Sequence, residues 1–201
     1  DMKVRTQGAR AEDIVAWLAP GEPLTGNIEN EMTLGGTLDA PEAEGTLTLW
    51  EGSYHGFLLS KVSGGYRRSG GVLSVEKLEI DSFNAKAVLS GTLDEQQRLN
   101  FTVTADEVET AYIQLKYPYP VQGKVSLTGK LTGTTGNPEF TGEVMSRTLQ
   151  LNEQKLYEIG GQITLHRDEV QVSALQFLLG RGQVRASGGY REKEGEVYGG
   201  L

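Results

Sequence analysis

The chain has 201 residues, a net charge of −8, 27 glycines, six prolines and no cysteine. Without cysteine there is no disulfide framework, zinc ribbon, thiolate nucleophile or cysteine-ligated cluster, and the acidic balance argues against a nucleic-acid backbone as partner. Glycine runs at about 13%, near twice its usual share, but it lacks the every-third-residue spacing of collagen, and the apolar fraction is in the globular range.

The elements follow in chain order. Ala11 to Leu18 puts Ile14, Val15, Trp17 and Leu18 on one side and predicts a short helix. Thr46-Leu47-Thr48-Leu49 alternates polar and apolar residues, with Trp50 out of phase and therefore toward the polar side or the rim. Leu73-Ser74-Val75 alternates again, and Leu78-Glu79-Ile80 resumes the pattern after a step. Leu99-Asn100-Phe101-Thr102-Val103-Thr104 is an uninterrupted alternation. Asp106 to Leu115 predicts a second short helix through Val108, Ala111, Tyr112 and Leu115, and Tyr117-Pro118-Tyr119-Pro120 an extended linker. Leu149-Gln150-Leu151, Ile163-Thr164-Leu165, Val170-Gln171-Val172 and Leu175-Gln176-Phe177 return to period two. Turn residues separate these stretches: Asp39-Ala40-Pro41, Glu51-Gly52-Ser53, Ser69-Gly70-Gly71, Asp94-Glu95-Gln96, Gly136-Asn137-Pro138, Arg167-Asp168-Glu169 and Gly180-Arg181-Gly182. The expectation is a meander of strands roughly eight to ten residues long, with short crossing segments.

The chain repeats itself. Displaced by 97 positions, residues 23–91 match 120–188 without a gap at 14 positions. The matches include Gly36-Thr37 on Gly133-Thr134, Pro41-Glu42 on Pro138-Glu139, Val75 on Val172 and Leu78 on Leu175. Apolar positions also coincide: Ile28 with Val125, Leu47 with Val144, Val62 with Ile159. Ten glycines fall into five such pairs: 26/123, 36/133, 45/142, 64/161 and 91/188. We place the first repeat at residues 1–97 and the second at 98–201, and read the chain as a piece of a longer protein. About six strands per repeat, at roughly 4.8 Å each, make a sheet that must curl, close or pack on another. The fold expected is all-β: a long curled antiparallel sheet, a U-shaped groove around an apolar interior, bent at its glycines.

Catalytic signatures are missing. No phosphate-binding loop, zinc-protease helix or serine elbow occurs, and Gly180-Arg181-Gly182 has Arg185 where a dinucleotide fingerprint needs its last glycine. His55 and His166 do not coincide under the repeat and read as solvated rim residues. Asp39, Glu42 and Glu44, and likewise Asp106, Glu107 and Glu109, lack the spacing of a calcium loop and read as charged rims. Asn100-Phe101-Thr102 has the glycosylation pattern but lies within a strand. The chain reads as a non-enzyme without cofactor or metal.

The segment Leu34-Gly35-Gly36-Thr37-Leu38-Asp39-Ala40-Pro41-Glu42-Ala43-Glu44-Gly45-Thr46-Leu47 and its copy from Leu131 to Val144 carry a resemblance. So do Leu99 to Asp106 before the crossing segment and Val121 to Gly129 after it. This texture resembles the TamB family of diderm bacteria, and more broadly the AsmA-like and bridge-like lipid-transfer proteins. The resemblance implies a periplasmic position in a protein anchored to the inner membrane, a curled sheet with an apolar trough, and an outer-membrane assembly barrel (TamA-like) as partner. It implies phospholipid movement between membranes and support of outer-membrane protein insertion.

On this reading phospholipid acyl chains line up against Leu47, Leu49, Leu73, Val75, Leu78, Ile80, Leu99, Phe101, Val103, Leu149, Leu151, Ile163, Leu165, Val170, Val172, Leu175 and Phe177. Burial gains about 0.8 kcal/mol per methylene, so many weak sites in series serve transport without a specific pocket. The alternative is a structural or adhesive β-stalk, in which the same residues form an ordinary closed core and no ligand binds.

Overall fold

A computed structural model describes the chain except residues 1, 19–20, 38–39, 55, 83–84, 113–119, 192–195 and 201. The protein is all-β. Thirteen strands follow one another in a single sheet whose spatial order is the chain order, each antiparallel to its neighbours. They are β1 (Met2–Arg10), β2 (Leu24–Gly36), β3 (Pro41–Tyr54), β4 (Phe57–Ser69), β5 (Val72–Ser82), β6 (Ala85–Leu93), β7 (Leu99–Glu109), β8 (Val121–Thr134), β9 (Asn137–Leu151), β10 (Gln154–Leu165), β11 (Glu169–Leu179), β12 (Gly182–Arg191) and β13 (Glu196–Gly200). The sheet is not closed: β1 and β13 stand at opposite ends of the order. The helix expected early in the chain is α1 (Ala11–Leu18). By contacts the chain divides into two compact units, Asp1–Phe101 and Thr102–Leu201.

Most expected turns separate strands: Ser69-Gly70-Gly71 leads from β4 to β5 and Gly180-Arg181-Gly182 from β11 to β12. Glu51-Gly52-Ser53 does not. It lies inside β3, where Glu51 takes a left-handed conformation (φ 51°) opposite Gly26 (φ 135°) and the β2–β3 register slips between Thr25 and Asn27. A bulge has absorbed residues that look like a turn. Such irregularities let strands run on, up to the 15 residues of β9, beyond the eight to ten expected.

The helix expected over Asp106 to Leu115 is also corrected. β7 continues to Glu109, and a single 3-10 turn, Thr110–Tyr112, follows; residues 113–115 lie outside the described residues. Glu107 adopts φ 54° and breaks the alternation, so Val108 falls out of phase with Val103 and Ala105. That phase change imitates helical spacing. The linker at Tyr117 to Tyr119, the loop residues Leu38 and Asp39, and His55 lie outside the described residues.

The two units share their register. Gly36 pairs with Pro41 and Gly133 with Pro138; Leu47 pairs with Gly64 and Val144 with Gly161. The β5–β6 ladder slips between Val75 and Leu78, and the β11–β12 ladder between Val172 and Leu175. Each pair of features is 97 residues apart, so the repeat extends to the bulges.

In the first unit the core has two adjoining groups. Ala11, Ile28, Leu49 and Val62 form one, and Ala43 and Tyr66 the other; Ile14 of α1 packs against both. In the second unit Val125, Phe140, Val144 and Ile159 are the buried side chains. Each fully buried Ile or Leu contributes roughly 1.5–3 kcal/mol.

Candidate functional site: the apolar face of the sheet

Cross-strand pairs in an antiparallel sheet share a face, so register decides which side chains form one surface. In the first unit Ile28 pairs with Leu49, Leu49 with Val62, Val62 with Ile80 and Ile80 with Ala87. One row thus crosses five strands, β2 to β6, and is apolar throughout. A parallel row runs from Leu47 through Gly64 to Leu78 and Leu89. Nearer the other strand ends, Tyr66 pairs with Val75, and Arg68 with Leu73. The second unit repeats this: Phe140 pairs with Leu165, Leu165 with Val170 and Val170 with Tyr190. Ile163 pairs with Val172, Leu175 with Ala186, Phe177 with Val184, and Leu149 with Leu156.

The structure thus brings many of the expected residues into contiguous apolar rows. Of the 17 named side chains only Leu49 is fully buried; the others, including Leu99, Phe101, Val103 and Leu151, are half-buried. Trp50 points away from Leu49 and is 36% exposed. Ile28, Ala43, Val62, Tyr66, Ala105, Val125, Phe140, Val144 and Ile159 belong among the buried residues and were absent from the expected lining. For Ile28, Val62, Val125, Val144 and Ile159 the signal was the coincidence of apolar positions under the 97-residue displacement.

One polar group interrupts the face. The Tyr66 hydroxyl reaches over β3 and donates to Asn30 Oδ1 at 2.9 Å, with Met32 Sδ 3.4 Å away. Room for the ring comes from Gly45, which lies between Met32 and Tyr66 in the ladder. Burial pushes the Tyr66 hydroxyl up from its ordinary pKa, while the bond with Asn30 acts the other way. The phenol therefore stays a neutral donor at physiological pH.

The opposite face is charged. Lys77 pairs with Glu79 at 2.6 Å, and Lys124 with Glu107 at 3.2 Å. A depression of about 840 Å³ lies in the first unit among Lys3, Arg5, Glu31, Glu44, Arg67 and Glu76. Its lining mixes both signs, so it offers no single-sign field to a charged ligand. His166, at the end of β10, lies 3.5 Å from Glu139 on the exposed surface. Among the described residues no three acids or histidines converge as a metal site, and no helix is long and apolar enough to cross a membrane. Comparison with known proteins finds no family model, no curated protein and no solved structure that matches the chain.

Proposed function

We propose that the apolar face of this sheet binds the acyl chains of phospholipid, as one segment of a lipid-conducting protein of the TamB type. One observation carries the reading: apolar rows continue from strand to strand in both units, yet apart from Ile28, Leu49, Val62, Tyr66 and Phe140 their side chains remain only half-buried. Among the described residues the only helical elements are α1, which packs on the core groups of the first unit, and one 3-10 turn, so no helical layer covers the rest of the apolar rows. Acyl chains would complete the burial of the half-buried side chains, which gains about 0.8 kcal/mol per methylene. In a longer protein the repeated unit would line up similar weak sites, which suits passage rather than storage. The setting we propose is the periplasm, between an inner-membrane anchor and an outer-membrane assembly barrel.

Native mass spectrometry of the protein purified from a diderm bacterium tests this. We expect co-purified phospholipid. Phe101→Asp and Phe177→Asp should lower lipid occupancy roughly tenfold, because a charge against an acyl chain costs at least about 1.4 kcal/mol, while the β-sheet circular dichroism is kept. A lipid-free protein that also fails to take up a fluorescent fatty acid would overturn the reading in favour of a closed structural core.

A further inference from the structure

Asn30 breaks the pattern of the face it occupies. Its neighbours there are Ile28 and Met32 on β2 and Leu47 across the ladder. The residue is 2% exposed. Tyr66 satisfies one half of the amide by donating to Oδ1, which fixes the orientation of the group. The other half, Nδ2, is buried and has no partner among the described residues. A buried donor left unpaired is destabilising, and the fold does not require it. In the second unit, Leu127 and Ile163 stand 97 residues on from Asn30 and Tyr66, in the same register: Leu127 pairs with Val144 as Asn30 pairs with Leu47. The polar pair is an addition to the first unit.

Ile14 packs against the core groups on both sides of Asn30, so α1 lies over this strip of β2. The helix leaves the Nδ2 donor unsatisfied. We propose that Asn30 and Tyr66 form a polar station in the apolar face, where Asn30 Nδ2 donates to the ester carbonyl oxygen of a glycerolipid that takes the place of α1. The inference rests on the lipid-binding reading above. An ester carbonyl is the acceptor a glycerolipid carries next to its acyl chains. It is neutral, as the apolar surroundings of Ile28, Met32 and Leu47 demand; a phosphate there would be a buried unpaired charge.

The test compares the whole chain loaded from vesicles of dioleoyl-phosphatidylglycerol or of its diether analogue, which lacks the carbonyls. The wild type should prefer the diester by about three- to tenfold, the worth of one hydrogen bond. Asn30→Leu should bind both lipids and lose the preference. The double variant Asn30→Leu/Tyr66→Ile installs the residues of the second unit, avoids orphaning the Tyr66 hydroxyl, and should lose the preference while its β-sheet circular dichroism is kept, with a lower melting midpoint from the cavity left by the smaller side chain. Equal binding of diester and diether by the wild type, or a preference that survives in the double variant, overturns the station and leaves the lipid reading standing. Failure of the wild type to bind either lipid overturns the reading itself.

Discussion

A methyl group on Gly45 would sit 2.4 Å from the Glu31 carbonyl and 2.8 Å from Met32 Cβ. At Gly142, one repeat later, it would sit 2.3 Å from the Thr128 carbonyl. Both positions have ordinary negative φ, so backbone conformation does not select glycine there; close approach of the neighbouring strand does. Gly160 offers a control: it lies in the interior of β10, and a methyl there meets nothing within 4 Å. Gly45→Ala and Gly142→Ala should each destabilise by about 1–3 kcal/mol through overpacking, and Gly160→Ala should change little. Denaturant melts of the three variants check this; equal midpoints would show that the strands part freely at these positions. At Gly45 the loss should be compounded, because the Tyr66 ring lies over it on the way to Asn30.

At the scale of the element, edge strand β13 is held by a carboxylate from two strands away. Glu169, the first residue of β11, accepts hydrogen bonds at Oε1 from the Tyr198 hydroxyl on β13 (2.7 Å), Arg191 Nε on β12 (3.0 Å) and Gln171 Nε2 (3.1 Å). The Arg191 guanidinium also lies 4.8 Å from the centre of the Tyr198 ring. These donors, Tyr198 foremost, hold the Glu169 carboxyl below its ordinary 4.5. A depressed carboxylate contributes stability above its unfolded pKa and loses it as pH falls through the folded value. The loss therefore belongs at and below about pH 4.5. Thermal melts from pH 7 to pH 3 should show a steeper acid decline in the wild type than in Glu169→Gln. Parallel declines would mean that the cluster does not discriminate between folded and unfolded chains.

Element by element, the sequence was legible where a local pattern had one cause. The step from Val75 to Leu78 is the β5–β6 bulge seen as a change of phase, and its copy at Val172 and Leu175 is the β11–β12 bulge. Ala11–Leu18 is a helix because its apolar residues have no competing period two. Illegible were places where one left-handed residue altered the phase within a strand. Glu51 made β3 look like two strands, and Glu107 made the end of β7 look helical. Much of the apolar face followed from alternation. Asn30 did not, because alternation and repeat both call for an apolar residue there; only the Tyr66 hydroxyl bonded to it across β3 accounts for an amide at that position.

For the whole molecule, the governing contrast is between an apolar face and a net charge of −8. If the apolar face takes up acyl chains as proposed, they attract the protein to a bilayer, while an anionic bilayer surface repels it. Repulsion between like charges acts on the approach and is screened by salt; the Debye length falls from about 30 Å at 0.01 M to about 8 Å at 0.15 M. Lipid uptake from phosphatidylglycerol vesicles should therefore be slow at low salt and accelerate several-fold over that range. Uptake from phosphatidylcholine vesicles should barely respond, since no surface charge opposes the approach. Stopped-flow fluorescence with a labelled lipid in each vesicle separates the two. A rate that instead falls with salt on anionic vesicles would mean that a local basic patch, rather than the net charge, guides the encounter. The apolar face would then receive its lipid from an oriented approach, and the charged face of the sheet would have to be counted as part of the binding surface.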